Sequence, residues 1–260
     1  MRARARVVAE ADGRGGTRLA VLRGESPLLL RRTGPHAQEG PTVHLVGGAA
    51  GPLRGDDLRL DIEVGPGAGL HIRSVAASLA LPGPPGAAAS RLEIRAQVAA
   101  GASLRWLPEP LIAACGCDHV AVTEVDVEAG GTLVWRDDLV CGRHGEPAGD
   151  VRTETTIRYG GSTLYRHELA VGPGAPGWSG AAVLGGGRAI GSLVLAGPDL
   201  PPPALLGADA ALMTLAGPGM LATAVGPDVR EVRRALDPLC TTAAPRRTAA
   251  APREVPGRAR

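Results

Sequence analysis

Apolar and polar residues alternate through much of the chain. Leu58, Leu60, Ile62 and Val64 are interleaved with Arg59, Asp61 and Glu63, the period of two that half-buries a strand. Arg91 to Val98 repeats the pattern, with Leu92, Ile94, Ala96 and Val98 on one face. Val120 to Val127 follows it with a slip in phase between Val122 and Val125, which predicts a β-bulge. Each run ends in a turn and reopens as a second strand, spelled V-G-P-G-A-G-L at 64–70, V-A-A-G-A-S-L at 98–104 and V-E-A-G-G-T-L at 127–133. The valine closes one strand, a glycine at a fixed place supplies a turn residue with positive φ, and the leucine opens the next. The spacings, 34 and 29 residues, mark an internal repeat. The expected fold is mainly β: repeated antiparallel β-hairpins stacked into an elongated, solenoid-like sheet scaffold, with one or two helices near the C-terminus.

Further strands are expected at Val151 to Arg158, Thr163 to Val171 and Ala189 to Ala196. Pro201-Pro202-Pro203 then breaks the pattern, and two short apolar runs flank Gly217-Pro218-Gly219. A helix is predicted over Asp228 to Leu239, where Val229, Val232, Leu236 and Leu239 form one stripe and Pro227 stands just before the start. Leu79 to Ser90 reads as a loop. Residues 1–240 are expected to form one β-rich domain, clearest from about residue 40, with 241–260 a basic disordered tail. The opening run MRARAR reads likewise as a solvated end.

Composition sharpens this picture. The 260 residues include no Phe and no Lys, so the core is built from Val, Leu, Ile and Ala, and every basic side chain among the 28 is Arg. The net charge of +2, with basic ends that carry no interleaved aromatics, argues against nucleic acid as the main partner. The segment after MRARAR lacks the apolar run of about 7–15 residues that a secretory signal needs. No apolar stretch nears the roughly 18 residues that span a bilayer. Four cysteines in this setting read as free thiols or ligands, not as a disulfide framework. The expectation is a cytoplasmic protein that makes no membrane contact.

Without lysine there is no phosphate-binding G-x-x-x-x-G-K-[ST] loop. Gly177-Trp178-Ser179-Gly180-Ala181 misses the nucleophile-elbow pattern by one residue, and the βαβ context of a dinucleotide site is lacking. The chemistry-bearing stretch is Leu104 to His119, LRWLPEPLIAACGCDH, where Pro108 and Pro110 must end strand pairing. It leads into Cys115, Cys117 and His119. With Cys141 and His144 downstream, these residues could compose a soft site, most simply for zinc, or an open one for transient nickel. A small metal-binding or redox protein using Cys115, Cys117, Cys141 and His144 is therefore the alternative function. Against it stands the reading of Cys115 and Cys141 as small buried hydrophobes. His167, lying alone in its run, reads as a satisfied surface or core residue.

Several segments, in order, resemble the urease accessory protein family UreD, also called UreH. They are HLVGGAAGPLRGDDL (44–58, with Gly55 and Asp56), the V-G-P-G-A-G-L turn, and LRWLPEPLI (104–112, with Trp106, Pro108 and Glu109). Asp137, the pair Gly142-Arg143 and RHEL at 166–169, which begins at Arg166, complete the set. Departures are SVAASLALPGPP after Arg73, where relatives carry a lysine and an aromatic, and Ala113-Ala114 in place of aromatics. The resemblance implies a β-rich, non-catalytic scaffold that binds the accessory proteins UreF and UreG and apo-urease, with a homodimer within that complex. It implies that nickel reaches the urease active site through an internal polar tunnel, with no tightly bound cofactor. Asp56 and Asp137 are the positions that match family residues linked to that route.

Overall fold

The computed structural model describes residues 1–37 and 40–242; the expected tail from 243 onward lies outside the described residues. The chain begins with β1 (Arg2–Ala11), β2 (Thr17–Gly24), β3 (Leu28–Ala37) and β4 (Gly40–Gly47). Three coils follow. The first holds β5 (Asp57–Val64), β6 (Gly69–Ser74) and the short β7 (Ser78–Ala80); the second holds β8 (Ser90–Val98), β9 (Ser103–Leu107) and the short β10 (Leu111–Ala113). The third joins β11 (Asp118–Val127) to β12 (Thr132–Val140). Then come β13 (Asp150–Tyr159), β14 (Ser162–Val171), β15 (Ala189–Ala196), β16 (Ala204–Gly207), β17 (Ala210–Thr214) and β18 (Gly219–Gly226). Helix α1 (Val229–Thr242) closes the described chain.

Two sheets face each other. One has seven strands in the order β14-β13-β11-β8-β5-β1-β2; the other has eleven and carries β12, β9 and β6 at its centre. The expected mainly β, solenoid-like scaffold is what forms, with one helix. The pairing within it needs correction. The repeated turns do not close antiparallel hairpins; each carries the chain from one sheet across to the other. Equivalent strands of successive coils then pair in parallel, β5 with β8, β8 with β11, β6 with β9 and β9 with β12.

The repeat explains itself in this register. Val64 lies against Val98 and Val98 against Val127, while Leu70, Leu104 and Leu133 stack in the facing sheet. The corner glycines Gly67, Gly101 and Gly130 have φ of 69°, 69° and 86°, the left-handed conformation in which a Cβ is strained. Each corner is held by one backbone bond, as from Ala102 N to Ala99 O at 3.0 Å. Trp106 and Trp135 are register partners, and their rings stack 4.9 Å apart at 13°.

The basic N-terminus is no solvated end. In β1, Ala3, Ala5, Val7 and Ala9 are buried while Arg2, Arg4 and Arg6 face out, and the strand pairs in parallel with β5. The predicted bulge in β11 is absent too: its register to β8 and β13 runs unbroken from His119 to Val127. The strand keeps a single phase: His119, Thr123, Val125 and Val127 are all buried on one face, and Val120 and Val122 lie on the other. Helix α1 packs on the outer face of the larger sheet, with Val232, Leu236 and Cys240 buried. Asp228 caps it, accepting from the amides of Arg230 and Glu231 at 2.8 and 3.1 Å.

Candidate functional site

Between the sheets lies a cavity of about 510 Å³. Leu58, Leu92 and Ile94 make its apolar side, and the exposed Val75 and His167 stand where it meets solvent. Its polar groups come from strand positions with inward phase. Among them are His119 and Thr123 on β11, Thr153 and Thr155 on β13, Tyr165 and His167 on β14, Asp137 on β12 and Ser192 on β15; Ser74, Ser78 and Asp138 also border the cavity. Pro108 and Glu109 belong to the wall, so the proline break after β9 shapes the cavity edge.

Strand alternation sorts the W-R-D-D segment of β12. Leu133, Trp135, Asp137 and Leu139 face the interior; Val134, Arg136 and Asp138 face α1. Asp137 accepts from the Trp135 indole N–H at 2.8 Å and from that of Trp106 at 3.4 Å, the longer contact being weak. Burial pushes its carboxyl up to about 6, against the pull of the two indole donors. No cation pairs with it among the described residues. Such a group is ionised at neutral pH yet only weakly held there, a state suited to brief cation contacts.

Asp138, one residue on, is fixed. Arg136 Nε donates to both its oxygens at 3.0 and 3.1 Å, and Arg233 of α1 approaches at 3.5 Å. Arg136 also pairs with Asp237, Arg105 with the Cys240 carbonyl, and Arg233 with Glu109 at 2.8 Å. Gly191 on β15 lets the helix approach: a Cβ there would come within 2.5 Å of Val232 and 2.6 Å of Asp138.

Asp56 lies elsewhere. It is 5% exposed, accepting from the Met1 amino group at 2.7 Å and the Leu53 amide at 2.9 Å, in the turn where Gly55 has φ 87°. Both carboxylate oxygens are engaged, and Asp56 is not among the residues that wall the cavity. The cysteines are dispersed in environment. Cys115 is exposed; Cys117 is buried with its thiol against the Asp150 carbonyl at 3.5 Å, and burial pushes it up to about 12. Cys141 is buried and pushed up to about 11 for the same reason, and His144 is exposed. High thiol pKa values disfavour the thiolates that a metal needs. Among the described residues no three His, Cys, Asp or Glu side chains converge as a metal site, so the four-ligand cluster of Cys115, Cys117, Cys141 and His144 does not assemble. Gly142 and Arg143 make a turn, φ 85° at the glycine, where Arg143 and Glu146 pair at 2.8 Å. Arg166 points outward from β14.

His119 separates from the cysteines and faces the cavity instead, 1% exposed. Thr123, Thr155, Tyr165, Ser192 and the positioning Ser90 escaped the sequence reading. For Thr123 the signal was present, since it shares the phase of Val125 and Val127.

Fold and site together define a class: a parallel-coil β-solenoid with a largely apolar cavity between its sheets, a few polar groups on the cavity wall, and a helix packed on its outside. The chain belongs to the UreD urease accessory protein family, whose profile matches residues 1–256. Its relatives include the urease accessory protein UreD of Streptomyces avermitilis, 49% identical over 91% of this chain and 95% of its own. The UreD of Streptomyces coelicolor is 47% identical over 91% and 94%, and that of a Parafrankia species 44% identical over 92% and 88%.

Proposed function

We propose that this protein is a maturation scaffold for urease, binding apo-urease and the accessory proteins UreF and UreG in the cytoplasm and guiding nickel through its interior cavity. Nickel is the cargo here, not a resident cofactor. The observation that carries the reading is Asp137: a carboxylate on the cavity wall, without a cationic partner, in a chain that belongs to this family over nearly its whole length. A carboxylate near its titration range holds a hydrated divalent ion briefly and lets it go, which a conduit requires. The Trp135 indole N–H, donating at 2.8 Å, orients the carboxylate.

Asp56 takes a different part in this account, as the tie that holds the turn before β5. The faces outside the cavity, including the exposed Leu205 and Met213 of the β16–β17 edge, are left for protein partners.

The test is co-purification of the full chain with UreF, UreG and apo-urease, followed by nickel analysis of the urease. Recovery of the complex with parental protein, and recovery with D137N but with nickel loading reduced about tenfold or more, is expected. No complex with any of these proteins would end the scaffold reading.

A further inference from the structure

Resting on that reading of the cavity, we infer that His119 is a prearranged ligand for a borderline divalent cation, its Nε2 lone pair held ready at the cavity wall. Ser90 Oγ lies 3.2 Å from the Asp118 carbonyl and 2.9 Å from His119 Nδ1, and with one hydrogen on the hydroxyl both contacts are hydrogen bonds at once only if it goes to the carbonyl. In that arrangement, which satisfies both contacts and which we assign, Ser90 Oγ accepts from His119 Nδ1. The hydrogen of that bond therefore sits on Nδ1. A neutral imidazole carries one N–H, so Nε2 bears the lone pair.

Nε2 is buried and has no hydrogen-bond partner. An orphaned buried acceptor is costly unless something fills it. The ring also stays neutral, because burial lowers its pKa to about 4. An Nδ1–H bonded to an oxygen, with Nε2 left free, is the arrangement that orients metal-binding histidines. Neutral imidazole suits nickel, cobalt and zinc over calcium or magnesium. The parallel register creates the pair, setting Ser90 at the start of β8 directly beside His119. As one protein ligand, with no three-residue cluster among the described residues, His119 would hold a largely hydrated ion loosely.

The experiment is ¹⁵N NMR of the histidine rings in the full chain without added tag histidines, then titration with Ni(II) alone. The expected result is an Nδ1–H tautomer for His119 at pH 7, with its ring signals broadened at the lowest Ni(II) additions. H119N keeps an amide N–H toward Ser90 and lacks Nε2; its Ni(II) affinity should fall about tenfold. S90A, a second variant, frees the tautomer and should weaken Ni(II) binding while leaving His119 in place. An Nε2–H tautomer, or Ni(II) that broadens other histidines and leaves His119 sharp, overturns the inference. The two readings fail separately. Ni(II) bound at His119 in a protein that joins no urease complex removes the scaffold role and leaves this site. A complex that forms normally with no Ni(II) effect at His119 removes the site and leaves the role.

Discussion

Asp137 and Asp138 are neighbours in sequence and opposites in circumstance. Asp138 faces the helix, meets two guanidinium groups and works as structure. Asp137 faces the cavity, meets two indole N–H groups and no cation, and carries a pKa that burial has raised to about 6. Burial raises both carboxyls, but two guanidinium groups pull Asp138 back down, whereas Asp137 has only indole donors to oppose the shift. A group that costs the fold stability calls for another account, and the cavity supplies it.

The largest expected effect comes from the structural side. Asp138→Ala strands Arg136, whose side chain is 6% exposed, without its main partner. A loss of ~3–5 kcal/mol follows for a broken buried pair, read by chemical denaturation. Gly191→Ala tests the same layer by overpacking the helix contact, at about 1–3 kcal/mol. If either change is neutral, α1 is not clamped as described.

Asp137→Asn should act with the opposite sign. The folded pKa of about 6 lies above the ordinary 3.8, so the folded state binds the extra proton between those values. This group's contribution is therefore best below pH 4 and is lost as pH rises through 6. The asparagine variant should be more stable than the parent above pH 6, by up to about 3 kcal/mol, and equal to it near pH 4. His119 runs the other way. Its folded pKa of about 4 lies below 6.5, so its stabilising effect is lost as pH falls through that window. The two slopes oppose each other in the parent. D137N should expose the acid sensitivity of His119, and H119N should expose the alkaline slope of Asp137, both in urea titrations at pH 4 to 7.

The coil corners were legible in sequence because the positive-φ glycine and its flanking valine and leucine are local requirements. Which strand each would pair with was not. Alternation and a turn look the same whether the next strand folds back or crosses to a facing sheet, and parallel partners lie about a coil away in the chain. β1 was hidden because alanine, a poor strand former, supplies most of its inward face beneath arginines. Asp137 was reached through resemblance, yet its inward phase could have been read from Leu133 and Trp135. His119 was grouped with the cysteines by proximity in sequence, when its phase with Val125 and Val127 pointed into the cavity.

The smallest effect belongs to the exposed thiol. Cys115→Ser should change stability by no more than about 0.5 kcal/mol and leave urease nickel loading unchanged. A marked loss would return the cysteines to the functional account.

The most direct measurement is the nickel content of urease matured with D137N protein, per mole of complex recovered. The account predicts a variant at least as stable as the parent at neutral pH, recovered in complex with urease, that loads about tenfold less nickel or lower. Full nickel loading by D137N would contradict it, leaving Asp137 as a buried carboxylate with no part in carrying the ion.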